Sequence, residues 1–239
     1  MQTRWRDVKE GQYLMKLALN ISQWVAGVVA SLLILTLSIS FFAYNDSIYM
    51  KLYLENDVLE ATGMVEGELQ SVTEGLIDYM KDDAPTLDMQ AVIRGEEREV
   101  FNKREKDHMI DVKNLFTFSD TIKGVLFGIV LFTIGIGIWR GRPDVLVKIG
   151  SRQAMVSLIL AGGMMVVSLT NFSKAFIKFH ELLFTNDLWI LDPRTDTLIQ
   201  MLPEPFFRSM AMMMFGTWFA VSLGIGVASY FLRGLRVNV

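Results

Sequence analysis

Four stretches of the chain are apolar with almost no charge: roughly Trp24–Tyr44, Ile122–Trp139, Ala154–Phe172 and Met210–Leu232. At 1.5 Å per helical residue each is long enough to cross about 30 Å of hydrocarbon, the second only if nearly upright. Lipid offers the backbone no hydrogen-bond partners, so all four are expected to be helices. The pattern predicts an all-α integral membrane protein with four transmembrane helices. A mainly helical extracytoplasmic domain lies between helices 1 and 2, and an aromatic, membrane-facing outer loop between helices 3 and 4.

The segments between the spans carry their own patterns. Within Asp46–Lys81 the residues Ile48, Leu52, Val58, Leu59, Val65, Leu69, Val72, Leu76 and Met80 recur at helical spacing, predicting two amphipathic helices joined near Thr62-Gly63. Lys81-Asp82-Asp83-Ala84-Pro85 ends that pattern, and the charged run from Gly95 to Lys106 reads as a solvated helix face. In Ser173–Ser209, Phe176, Phe179, Phe184, Trp189, Phe206 and Phe207 mix closely with polar residues, as expected of a loop at headgroup level. Asp192-Pro193-Arg194-Thr195 predicts a turn, and Pro203 and Pro205 mark entry to the fourth span. The expected segments are 1–45, 46–121, 122–153, 154–172, 173–209 and 210–239.

Charge adds an orientation. Arg4, Arg6, Lys9 and Lys16 precede the first span, Arg140, Arg142, Lys148 and Arg152 separate the second and third, and Arg233 and Arg236 follow the fourth. By the positive-inside rule these segments and both termini are cytoplasmic. The first span lacks a small-x-small cleavage site at Phe41-Phe42-Ala43-Tyr44 and reads as a retained signal anchor. The outer segment Asn45–Thr121 holds eighteen acidic and eight basic residues, a net charge of −10 that argues against nucleic acid as a partner. With no cysteine, disulfides, thiolate metal sites and Cys nucleophiles are all excluded. Met210, Met212, Met213 and Met214 are adaptable packing at the outer end of the last span, or a compliant surface for acyl chains.

The two histidines, His108 and His180, both fall on the outer side, near spanning helices. Imidazole is the side chain whose unperturbed pKa suits proton exchange near neutrality, so the pair suggests acid–base chemistry on a lipid-like substrate. If Glu105–Lys113 is helical, Glu105, His108 and Asp111 or Val112 share one face, and a carboxylate can orient the ring. A metal site ranks lower, because neither segment offers two ligands at metal-binding spacing, and no G-x-S-x-G elbow supports a serine nucleophile. Outside acid–base catalysis, the pattern also fits a non-catalytic membrane protein with a partner-binding outer domain, or a zinc-dependent membrane lipid hydrolase.

The run from Phe179-His180-Glu181 through Asn186-Asp187-Leu188-Trp189 and Asp192-Pro193-Arg194-Thr195 to Ile199, followed by Pro203-Glu204-Pro205-Phe206-Phe207, resembles the bacterial lipoprotein intramolecular transacylase (Lit) family. Glu105-x-x-His108-Met109-x-Asp111-Val112-Lys113 resembles that family's other signature. The resemblance implies a multi-pass plasma-membrane enzyme with an extracytoplasmic active site and no cofactor or metal. It implies movement of the sn-2 acyl chain of a diacylglyceryl-cysteine lipoprotein to the α-amino group of the same cysteine, leaving an N-acyl, S-monoacylglyceryl product. The expected partners are that diacylated lipoprotein and membrane lipid. His108 and His180 are the expected catalytic residues. Asp111, Glu181, Asn186, Asp187 and Arg194 are candidates for orienting an imidazole or stabilising an oxyanion.

Overall fold

A computed structural model describes residues 2–142 and 144–237, with side chains over 10–142 and 144–234. The side chains of Arg4, Arg6, Lys9 and Arg236, used above for orientation, lie outside the described residues. The chain runs α1 (Gln2–Ala43), α2 (Asp46–Glu55), α3 (Val58–Thr62), α4 (Glu66–Met80), β1 (Gln90–Ile93), β2 (Glu96–Glu99), α5 (Lys103–Trp139), α6 (Asp144–Thr170), α7 (Phe172–Leu183), α8 (Thr197–Met201) and α9 (Glu204–Val237). Among the described residues α1, α5, α6 and α9 are long and apolar enough to cross a membrane, and this is a multi-pass, all-α membrane protein.

The residues fall into two compact units. The first, Met1–Thr36, Lys123–Gly163 and Gly216–Val239, holds most of the spanning helices. Apolar side chains gain little by leaving lipid for one another, so close approach and hydrogen bonding must join these helices. Gly27 of α1 supplies the approach, since a Cβ there would meet that of Arg152 at 2.8 Å. The hydrogen bonds come from buried groups. Ser31 and Ser157 hydroxyls meet at 2.7 Å, and Gln153 Nε2 donates to Ser157 Oγ and Ser222 Oγ, each at 2.8 Å.

The second unit, Leu37–Ile122 and Met164–Phe215, carries the larger core, including Tyr53, Leu69, Leu76, Phe101, Met201 and Phe206. Tyr53 is fully buried, stacks on Phe206 at 5.7 Å between centroids, and accepts a hydrogen bond from Thr73 Oγ1 at 3.1 Å. Pro203 and Pro205 flank the first residue of α9, and the backbone closes a turn from Thr195 N–H to Asp192 O at 3.1 Å.

Two local expectations are corrected. Three helices, not two, occupy Asp46–Met80, because Asp57 adopts the left-handed conformation (φ 53°) and separates α2 from α3 before the break at Gly63 (φ 73°). The charged run is not a helix face over its first part. Arg94 and Gly95, with φ of 54° and 86°, form the two-residue turn of an antiparallel hairpin, Ile93 facing Glu96. β1 buries Ala91 and Ile93, whereas Glu96–Glu99 is exposed throughout, so its charges solvate an edge strand.

Candidate active site

The start of α5 is held by a reciprocal cap. Asn102 Oδ1 accepts from the Glu105 N–H at 3.1 Å, and Glu105 Oε2 accepts from the Asn102 N–H at 2.7 Å. The other oxygen, Glu105 Oε1, accepts from the Leu198 N–H at 2.5 Å, while Asn102 Nδ2 donates to Asp196 Oδ1 at 2.9 Å. These bonds tie the beginnings of α5 and α8 together one turn before His108. Glu105 is therefore committed to backbone N–H groups, and of the two carboxylates that helical spacing aligns with His108 it is not the one free to orient the imidazole. Burial holds its carboxyl above the usual range.

His108 thus sits on the first turns of α5, fourteen residues ahead of the apolar stretch that starts at Ile122. His180 sits in the last turn of α7. Both are buried, with 7% and 8% of their surface exposed, and their ring centroids lie 6.3 Å apart. Aromatic rings exclude water around them. Phe184 meets His108 edge-on at 5.2 Å and His180 at 5.7 Å. Phe176 (4.4 Å), Trp189 (5.0 Å) and Phe179 (5.5 Å) complete the enclosure of His180.

One contact fixes a tautomer. His180 Nδ1 lies 2.7 Å from the Phe176 carbonyl oxygen, which can only accept, so Nδ1 carries the proton and neutral His180 presents a lone pair at Nε2. His108 Nδ1 is buried and has no hydrogen-bond partner among the described residues. Burial pushes His108 down to about 4. His180 and Arg104 add to the depression, and Asp111 opposes it. Burial also lowers His180, partly offset by its bond to Phe176. Two neutral imidazoles therefore face each other at pH 7.

Asp111 and Asn186 are brought together beside the pair, Asn186 Nδ2 donating to Asp111 Oδ2 at 2.8 Å. They line a cleft of about 310 Å³ with Asn114, Phe118, Leu183 and Phe184. A larger cavity of about 440 Å³ in the first unit is apolar and offers no acid–base group besides Tyr230. Asp187 contributes its backbone carbonyl, which accepts from Arg104. The remaining two candidates are engaged elsewhere: Glu181 pairs with Lys178 at 2.5 Å and Arg194 with Asp192 at 2.6 Å, both on exposed surface. Among the described residues no three His, Asp or Glu side chains gather as metal ligands. Sequence reasoning did not single out Phe176, Phe184 and Arg104. Their signal was positional, since each lies four residues from a histidine on the same helical face or just beyond its end.

The family model described as lipoprotein intramolecular transacylase Lit matches residues 24–207. The solved structure of Lit from Bacillus cereus is similar, with 21% identity and a TM-score of 0.76, covering 93% of this chain and 99% of that one. A variant of the same Bacillus cereus protein carrying a histidine-to-arginine mutation is similar at 21% identity and a TM-score of 0.74, covering 97% and 99%. No curated protein matches the chain.

Proposed function

Since the chain belongs to the lipoprotein intramolecular transacylase (Lit) family, and so is a membrane acyltransferase acting within a lipoprotein, we propose that His108 and His180 carry the transfer. The supporting observation is their meeting, 6.3 Å apart, in one water-excluding aromatic enclosure. On this reading the substrate is a diacylglyceryl-cysteine lipoprotein, and the sn-2 acyl chain moves to the α-amino group of the same cysteine.

The amine, with an ordinary pKa near 8, attacks the ester in its neutral form, and its nitrogen must give up one proton as the C–N bond forms. His180 is suited to take it, because Phe176 holds the Nδ1 proton and leaves Nε2 as acceptor. Neutral His108 has one N–H to donate to the ester oxygen as negative charge develops there. When the bond from the carbonyl carbon to the glycerol oxygen breaks, the His180 imidazolium returns its proton to that oxygen. The amide C–N bond forms and no net proton is gained or lost. Holding amine and ester together supplies proximity worth roughly 7–11 kcal/mol in well-oriented intramolecular reactions.

The basic inner segments support placing this site on the extracytoplasmic face, with both termini cytoplasmic. α7 follows α6 after one residue and exposes Ile177, Phe179 and Leu182 beside Lys178, as a helix resting on lipid headgroups would.

Mass spectrometry of lipoprotein N-termini tests the proposal. His108→Ala and His180→Ala should each stop lyso-lipoprotein formation while the protein still inserts, since such proton transfers are worth about 10²–10⁴-fold. Full activity in either variant removes that histidine from the mechanism. Thorough chelation should leave activity intact, and isotopically labelled acyl chains should stay within their own lipoprotein. Scrambling between molecules would require an acyl-enzyme instead.

A further inference from the structure

Arg104 lies on α5 one turn ahead of His108, with its side chain exposed. Its Nε donates to the Ile190 carbonyl at 3.2 Å, and its Nη2 to the Asp187 carbonyl. Those two carbonyls bracket a turn. The Asp187 oxygen also accepts from the Ile190 N–H at 3.2 Å, and Asn186 Oδ1 accepts from the Leu188 N–H at 3.0 Å. Trp189 is the third residue of this turn, and its indole lies 5.0 Å from the His180 ring at an interplanar angle of 30°. At the other end of the same face of α5, Asp111 receives Asn186 Nδ2. Arg104, His108 and Asp111 are thus spaced i, i+4 and i+7, with the histidine between two side chains that both hold the segment carrying Trp189.

We propose that Arg104 is a positioning residue for the acyl transfer: by gripping the Asp187 and Ile190 carbonyls it holds Trp189 against His180 and keeps the histidine pair enclosed. The proposal rests on the reading that the two histidines carry the reaction. Solvent could satisfy both carbonyls at this exposed site, so hydrogen-bond satisfaction alone does not call for a guanidinium. What the planar fork adds is a fixed distance between two acceptors, which a lysine ammonium cannot span in the same way. Arg104 also sets a positive charge beside His108, whose other charged or titratable neighbours are Asp111 on α5 and His180 on α7.

The test uses the full-length protein in lipid vesicles with a diacylated lipoprotein. Arg104→Gln and Arg104→Lys are compared for kcat, KM, pH profile and hydrogen exchange. Arg104→Gln should lower kcat roughly ten- to a hundredfold with little change in KM, as expected for a displaced catalytic group. Exchange at the Leu188 and Ile190 amides should speed up, and the acid limb of the rate profile should move to higher pH, a shift that shrinks with added salt. Arg104→Lys should restore the acid limb, because the charge returns, but not the amide protection, because the fork does not. Trp189→Ala should reproduce the kcat loss, and the double variant with Arg104→Gln should lose little more. Unchanged kcat in Arg104→Gln overturns the proposal, as does a loss confined to KM with normal amide exchange, which would mean direct substrate contact. Full activity in His108→Ala and His180→Ala overturns the underlying reading instead, whereas the exchange measurement reports on the turn independently of catalysis.

Discussion

Replacing His108 with phenylalanine should stabilise the protein while destroying its activity. The ring is 7% exposed, packs edge-on against Phe184, and leaves Nδ1 without a partner among the described residues. A buried polar atom left unpaired costs about 1–3 kcal/mol, and a phenyl ring of similar size removes that cost. Acid adds a second term. The pKa of His108 is about 4 in the folded protein against 6.5 for an unperturbed imidazole, so the unfolded chain binds a proton first as pH falls. Stability is therefore unaffected above pH 6.5, declines between 6.5 and about 4, and carries the full penalty below. Integrating that difference gives roughly 2–3 kcal/mol at pH 4.5. Thermal unfolding in detergent, followed at pH 7.5 and pH 4.5 for the native protein and His108→Phe, measures both terms. The native protein should fall further than the variant over that interval, the difference between them isolating the imidazole from the many carboxylates. Parallel pH dependences would refute the depressed pKa, and a variant less stable at pH 7.5 would refute the cost assigned to the unpaired nitrogen.

Three further outcomes follow from the same geometry. Glu105→Ala strands the buried N–H of Leu198 and removes the acceptor of the part-buried Asn102 N–H, and should lower stability by about 1–3 kcal/mol in thermal unfolding; a change within about 0.5 kcal/mol, typical of a neutral surface site, would contradict its role as the tie between α5 and α8. Because burial lowers the pKa of each imidazole, an NMR titration of the two rings should give midpoints below the ordinary imidazole value of 6.5, and a midpoint at or above it would count against the desolvated pair. A tag inserted near Asp83 should be labelled from outside intact cells and one after Gly141 only after permeabilisation; the reverse would invert the orientation drawn from the basic segments.

The membrane architecture was legible without coordinates, because hydrocarbon leaves an apolar stretch of sufficient length one solution, a helix that satisfies its own backbone. The turn at Asp192–Thr195 and the start of α9 by Pro203 were equally local, set by what proline does to its own backbone. The hairpin was not legible, because four charged residues in a row look alike on a helix face and on an exposed edge strand; the left-handed Arg94-Gly95 pair and the burial of Ala91 and Ile93 made the choice. The two histidines stood out as candidates by type and by side of the membrane. Their meeting, the tautomer set by the Phe176 carbonyl, and the hold of Arg104 on the turn bearing Trp189 depend on residues far apart in the chain. Glu105 shows the same limit most plainly: helical spacing aligned it with His108, but backbone N–H groups on α5 and α8 took both its oxygens. Hydropathy and backbone chemistry act on neighbours along the chain and can be read in order. A side chain's partner is settled by competition among all the groups that folding brings within reach, and only the tertiary structure decides that competition.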